Sequence, residues 1–68
     1  MHPTDSKSQP LPDELVGTFR TIGTIGPVYE IVGRQAPDDL TLAPIRVLES
    51  GEETDYPIAD ILQDPIAP

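Results

Sequence analysis

From residue 15 onward the apolar side chains come in short bursts, rich in β-branched and aromatic residues. Each burst is broken by a Gly, Pro or Asp cluster before it reaches the length of a helix. Such punctuation calls for short strands joined by tight turns, and four bursts are legible. The first, "LVGTFRTI" over residues 15–22, sets Val16, Thr18, Arg20 and Ile22 on one face and Leu15, Gly17, Phe19 and Thr21 on the other. Its inward face is ambiguous, with Phe19 the strongest anchor. The second, "PVYEIVGR" over 27–34, offers Tyr29 and Ile31 as a cleaner inward pair. The third, "PIRVLES" over 44–50, alternates Ile45 and Val47 against Arg46 and Leu48. Pro44 is expected at a strand start or a sheet edge, because proline cannot donate to a ladder. Pro37, Asp38 and Asp39 read as a turn before it. Ser50 and Gly51 within "ESGEE" signal a tight hairpin, which makes residues 53–56 the fourth strand.

The end of the chain follows a different period. Ile58, Ile61 and Leu62 stand at i, i+3 and i+4, with Pro57 suited to a first helical turn and Pro65 unsuited to continuing one. A short helix is predicted there, its apolar side closing one end of the sheet. The fold class expected is mainly β: a small antiparallel β-meander, or an SH3-like curled sheet or barrel, of about four strands with a short C-terminal helical turn. Gly17, Gly23, Gly26 and Gly33 fit such curling, since Gly in strand-like sequence marks bulges and bends.

The stutter "TIGTIG" at residues 21–26 needs testing as a phosphate loop. A dinucleotide fingerprint needs G-x-G-x-x-G between a strand and a helix, and a P-loop ends in Gly-Lys-Ser/Thr. Gly23 and Gly26 supply only G-x-x-G, followed by Pro27 and a β-patterned run, so no helix N-terminus follows to bind an anion. A turn or bulge is the better reading.

Residues 1–13 hold three prolines and almost no large apolar side chain, so a flexible N-terminal tail is expected there, with a single small domain over 14–68. The "PLP" at 10–12 favours polyproline II locally. Domains of this length bury only about 60% of the surface their unfolded chains expose. There is no cysteine to brace the core, which makes self-association or a partner a reasonable source of added stability and fits a cytoplasmic protein. No apolar run approaches the roughly 18 residues of a membrane span, and the first residues lack a signal-peptide centre.

Charge excludes more. Four basic against 12 acidic residues give a net charge of -8. Direct nucleic-acid binding is disfavoured, because it depends on cationic side chains displacing counterions. Arg20, Arg34 and Arg46 fall one per expected strand, and pairing within the molecule accounts for them most simply. Catalytic, cofactor and metal residues are not expected. His2, Ser6 and Ser8 lie in the tail, Ser50 sits at a turn without a histidine, and paired carboxylates need a cleft. The acidic hairpin lacks the D-x-D-x-D-G spacing of a calcium loop. The residues offered as partner contacts are Tyr29 and Tyr56, which combine area with a polar tip, and the acidic Glu49, Glu52, Glu53 and Asp55. For the tyrosines a place in the core competes with that role; for the acids, a solvated hairpin tip does.

The segments "GTFRTIG", "GPVYEIVG", "IRVLESGEETDYP" and the closing "DP" resemble a family of small uncharacterised bacterial proteins, a domain of unknown function, over residues 17–65. The resemblance implies no known activity. Similarity to SH3 domains is architectural, because this chain lacks Trp and an aromatic cluster for proline-rich ligands. The function expected is a non-enzymatic protein-interaction module that binds itself or another protein, with neither nucleic acid nor membrane as partner. The alternative is an antitoxin-like or nucleic-acid-mimicking acidic inhibitor of a basic partner.

Overall fold

A computed structural model describes residues 9–67 of the chain. It is mainly β. Strands β1 (Phe19–Thr21), β2 (Val28–Ile31), β3 (Leu42–Val47) and β4 (Glu53–Pro57) form one antiparallel sheet in the order β1-β2-β3-β4. A 3-10 turn at Asp13–Leu15 precedes the sheet and helix α1 (Ile58–Gln63) follows it. The meander and the C-terminal helix match the sequence pattern, but the sheet is open and does not close as a barrel. The outer edge of the short β1 is taken by residues 65–67. Arg20 bridges Ile66, the Thr21 N–H donates to the Pro65 carbonyl at 3.0 Å, and the Ala67 N–H donates to the Phe19 carbonyl at 3.1 Å. The end of the chain thus covers the edge that β4 would need for closure.

The register decides which residues face the core. Arg20 pairs with Tyr29, Tyr29 with Val47, Ile31 with Ile45, and Ala43 with Tyr56. Alternation then places Tyr29, Ile31, Ala43 and Ile45 on one face, where all four are buried. Ile58 and Ile61 of α1 and Leu11 from the N-terminal segment complete the core, with Leu15, Ile22, Val47 and Tyr56 packed around it. Tyr29 and Ile31 are the inward pair their alternation predicts. Leu62 is exposed, so α1 buries a narrower stripe than its spacing suggests.

Four expectations are corrected. The first burst is a strand only from Phe19, because Gly17 takes a left-handed φ of +90° and breaks the alternation. Leu15 therefore packs on the core while Phe19, two residues beyond the break, faces outward at 40% exposure. Pro44 sits inside β3, an interior strand. The N–H groups of Val32 and Gly33 both donate to its carbonyl, at 2.9 and 3.3 Å, the two-against-one arrangement of a β-bulge. The backbone nitrogen of Pro44 points to this bulge, beyond the end of β2, so no regular ladder bond is lost. A Cβ on Gly33 would lie 2.8 Å from the Pro44 ring, so the bulge and the proline fit each other.

The fourth correction concerns the tail. Residues 1–8 lie outside the described residues, but Leu11 is 1% exposed in the core. Its N–H donates to the Arg34 carbonyl at 3.0 Å, and its carbonyl accepts from Arg34 Nε at 2.7 Å. Pro12 follows at φ -57° and ψ 143°, the polyproline II conformation its neighbours favour. One large apolar residue is enough to tie the segment down when the backbone around it is pre-set by proline.

Candidate interaction surface

The β1–β2 corner answers the question raised by the glycine stutter. The Gly26 N–H donates to the Ile22 carbonyl at 2.9 Å, and the Ile22 N–H to the Pro27 carbonyl at 2.9 Å, so the segment is a turn between antiparallel strands. Gly23 adopts φ +63°, and its N–H donates at 3.1 Å to Asp64 Oδ1, the carboxylate of the residue that ends α1. The loop does hold an anion, and the anion is the chain's own.

Asp64 collects a polar cluster at this end of the core. Its Oδ2 accepts from the Tyr29 hydroxyl at 2.7 Å. Arg20, carried on the core face by its pairing with Tyr29, sends Nη1 to the carbonyls of Ile61 and Asp64 at 3.2 and 3.0 Å. A cation at the C-terminal end of a helix suits the helix dipole, and here it joins the Asp64 N–H, which also reaches the Ile61 carbonyl at 3.3 Å. Arg20 Nε is buried without a hydrogen-bond partner, a cost the two carbonyl contacts offset. Tyr56 packs edge-to-face on Tyr29, ring centroids 5.5 Å apart. Burial first, then the hydrogen bond and charge of Asp64, hold the Tyr29 phenol well above its ordinary pKa. Tyr56 is raised too, by burial first and then by Asp64 and Asp60. Every polar group of Asp64 is spent on the fold, so the cluster is an internal clasp.

Among the described residues, the opposite face of the sheet is exposed or half-buried. Register sets Phe19, Glu30, Arg46 and Glu53 in one row across all four strands. Beside it run Thr21, Val28 and Leu48, the Leu48 N–H donating to the Val28 carbonyl at 3.1 Å. Phe19 therefore lies diagonal to Val28, within reach of an aromatic ring. Leu48 is 47% exposed and Val32, just past β2, 38%. Arg46 pairs with Glu30 and reaches Glu53 at 4.0 Å. Phe19, Val28 and Leu48 were not among the residues the sequence singled out as contacts. For Phe19 the signal was the ambiguous parity of the first burst.

The sequence-derived contact residues are placed unevenly. Tyr29 is wholly buried in the core. Tyr56 is half-buried against it. Glu49, Glu52, Glu53 and Asp55 are all exposed on the β3–β4 hairpin, whose turn is held by the Gly51 N–H to Val47 carbonyl bond at 2.7 Å and by the Glu52 N–H to Ser50 Oγ bond at 3.2 Å. Glu53 and Asp55 share the outer face, paired with Arg46 and Pro44. The three arginines all engage within the molecule, Arg20 and Arg34 through carbonyls and Arg46 through carboxylates. Among the described residues no three His, Cys, Asp or Glu side chains converge as metal ligands would, and no helix is long and apolar enough to cross a membrane.

The class defined by these features is a small open-sheet β-meander, clasped by its own C-terminal segment and, among the described residues, exposed on one face. Over residues 7–68 the chain matches the family of unknown function DUF5397, and it belongs to that family. Comparison with curated proteins and with solved structures finds no match.

Proposed function

We propose that this protein is a non-enzymatic protein-interaction module of the cytoplasm, and that the bare outer face of the sheet is its working surface. The carrying observation is that Phe19, Val28 and Leu48 share one face of the sheet, Val28 opposite Leu48 and diagonal to Phe19, with Phe19 and Leu48 well exposed. Scattered exposed apolar residues need no explanation, but a group on a sheet face that none of the described residues covers fits a contact site. The thin core supports the same reading, since a partner that binds only the folded chain adds stability by mass action. Size-exclusion chromatography with light scattering, followed by affinity capture on the immobilised full chain, tests it. Self-association or specific retention of a protein is expected; a monomer that retains nothing at any salt concentration contradicts it.

A second reading draws on the exposed Glu49, Glu52, Glu53 and Asp55 and the net charge of -8: an acidic inhibitor that neutralises a basic partner. Its binding would weaken steeply with salt, whereas binding through apolar contacts would change little.

A further inference from the structure

We propose that the outer sheet face takes a cationic amphipathic helix of a partner protein, an inference that rests on the interaction reading above and names the chemistry of the partner. The surface is a face, and a face offers side chains but no free backbone groups. An extended segment laid across it would leave its own N–H and C=O groups unpaired, whereas a helix satisfies them internally. The dimensions agree. Four strands span roughly 14 Å at their usual spacing, against about 10–12 Å for a helix with its side chains.

Charge selects among helices. Phe19, Val28 and Leu48 supply the apolar seat, and among the described residues Glu30, Glu53 and Asp55 share the face with a single cation, Arg46, already paired to Glu30. Glu49 and Glu52 extend the negative potential along the hairpin. The surface therefore asks for an apolar stripe flanked by Lys or Arg. A second copy of this chain is a poor occupant, because each copy carries a net charge of -8 and like charges would be brought together.

The test uses the nitrogen-labelled full chain and three synthetic peptides: an amphipathic helix of Leu and Lys, a scrambled peptide of the same composition, and the same helix with Glu replacing Lys. Amide chemical shifts are followed by NMR. With the Leu/Lys helix, shifts are expected to concentrate at Phe19, Val28, Glu30, Arg46 and Leu48, and neither control is expected to bind there. The double variant Phe19→Ser/Leu48→Ser keeps the dispersed spectrum of a folded chain and binds the Leu/Lys helix roughly tenfold or more weakly, as loss of a central aromatic anchor implies. Equal binding of the scrambled peptide, shifts confined to the hairpin tip, or no shifts at all would overturn the proposal. So would a dimer in light scattering that the double variant abolishes. A natural partner captured equally by wild type and double variant would sink the helix-docking proposal while leaving the interaction reading standing. If the wild type is a monomer that captures nothing, both fall.

Discussion

The Tyr29 hydroxyl lies 2.7 Å from Asp64 Oδ2, tying the second strand of the sheet to the residue that ends the helix. Asp64→Ala leaves that buried hydroxyl unpaired and frees the Gly23 N–H as well, so it is expected to cost about 2–3 kcal/mol, the range for charged hydrogen bonds and stranded donors. Tyr29→Phe removes the donor with its partner still bound to Gly23 and is expected to cost about 1 kcal/mol. A double-mutant cycle by urea denaturation checks the link: the double variant is expected to lose less than the sum of the singles.

The same contact sets a pH dependence. The Tyr29 phenol, ordinarily titrating near 10.0, is raised in the folded chain by burial and by Asp64. The unfolded chain therefore releases this proton at lower pH than the folded one. The stabilisation is complete below the unfolded value and falls as pH rises beyond it. Unfolding is expected to begin above about pH 10, with Tyr29 ionising as the fold opens. Tyrosinate absorbance and circular dichroism followed in one alkaline titration should move together, and Tyr29→Phe should flatten the loss of stability. Ionisation of both tyrosines well before any loss of structure would refute this.

The two glycines of the β1–β2 corner are not equivalent. Gly23 has φ +63° with open space where a Cβ would stand, so Gly23→Ala is expected to cost roughly 1–2 kcal/mol for the left-handed backbone. A Cβ on Gly26 would lie 2.1 Å from the Ile22 carbonyl oxygen, which also accepts the Gly26 N–H. Gly26→Ala must open that turn and is expected to cost about 3 kcal/mol, more than Gly23→Ala. Thermal denaturation of the two variants gives the order directly.

Leu11 carries more than its place among prolines suggests. A chain of this length has roughly 3–10 kcal/mol of stability in all, and truncating a buried leucine costs about 2–5 kcal/mol. Leu11→Ala is expected to leave the protein partly unfolded at room temperature, and deletion of residues 1–12 to unfold it. Both effects should appear as lost chemical-shift dispersion.

How much of this was legible follows the range of the interactions. The Ser50–Gly51 hairpin, the alternation around Tyr29 and Ile31 and the period of Ile58 and Ile61 are local, and the sequence reads them correctly. Arg20 was opaque. Its partners are carbonyls 41 and 44 residues away, and nothing beside it distinguishes a core-facing cation from a solvated one. The inward face of the first burst stays ambiguous in the sequence, with Phe19 favoured on hydrophobicity alone, because the break at Gly17 that turns it outward is a backbone conformation rather than a pattern of side chains. Pro44 is expected at a strand start or a sheet edge because the bulge at Val32 and Gly33 that receives it belongs to another strand. The bare face was therefore hidden for the same reason that Phe19 was misplaced.

The central claim is that the outer sheet face, and not the acidic hairpin alone, engages a partner. The most direct measurement is side-by-side affinity capture with the wild type, Phe19→Ser/Leu48→Ser, and a hairpin variant with Glu49 and Glu52 changed to Gln, all verified as folded. Partner retention is predicted to be lost in the face variant and largely kept in the hairpin variant. Retention kept by the face variant and lost by the hairpin variant would contradict the account.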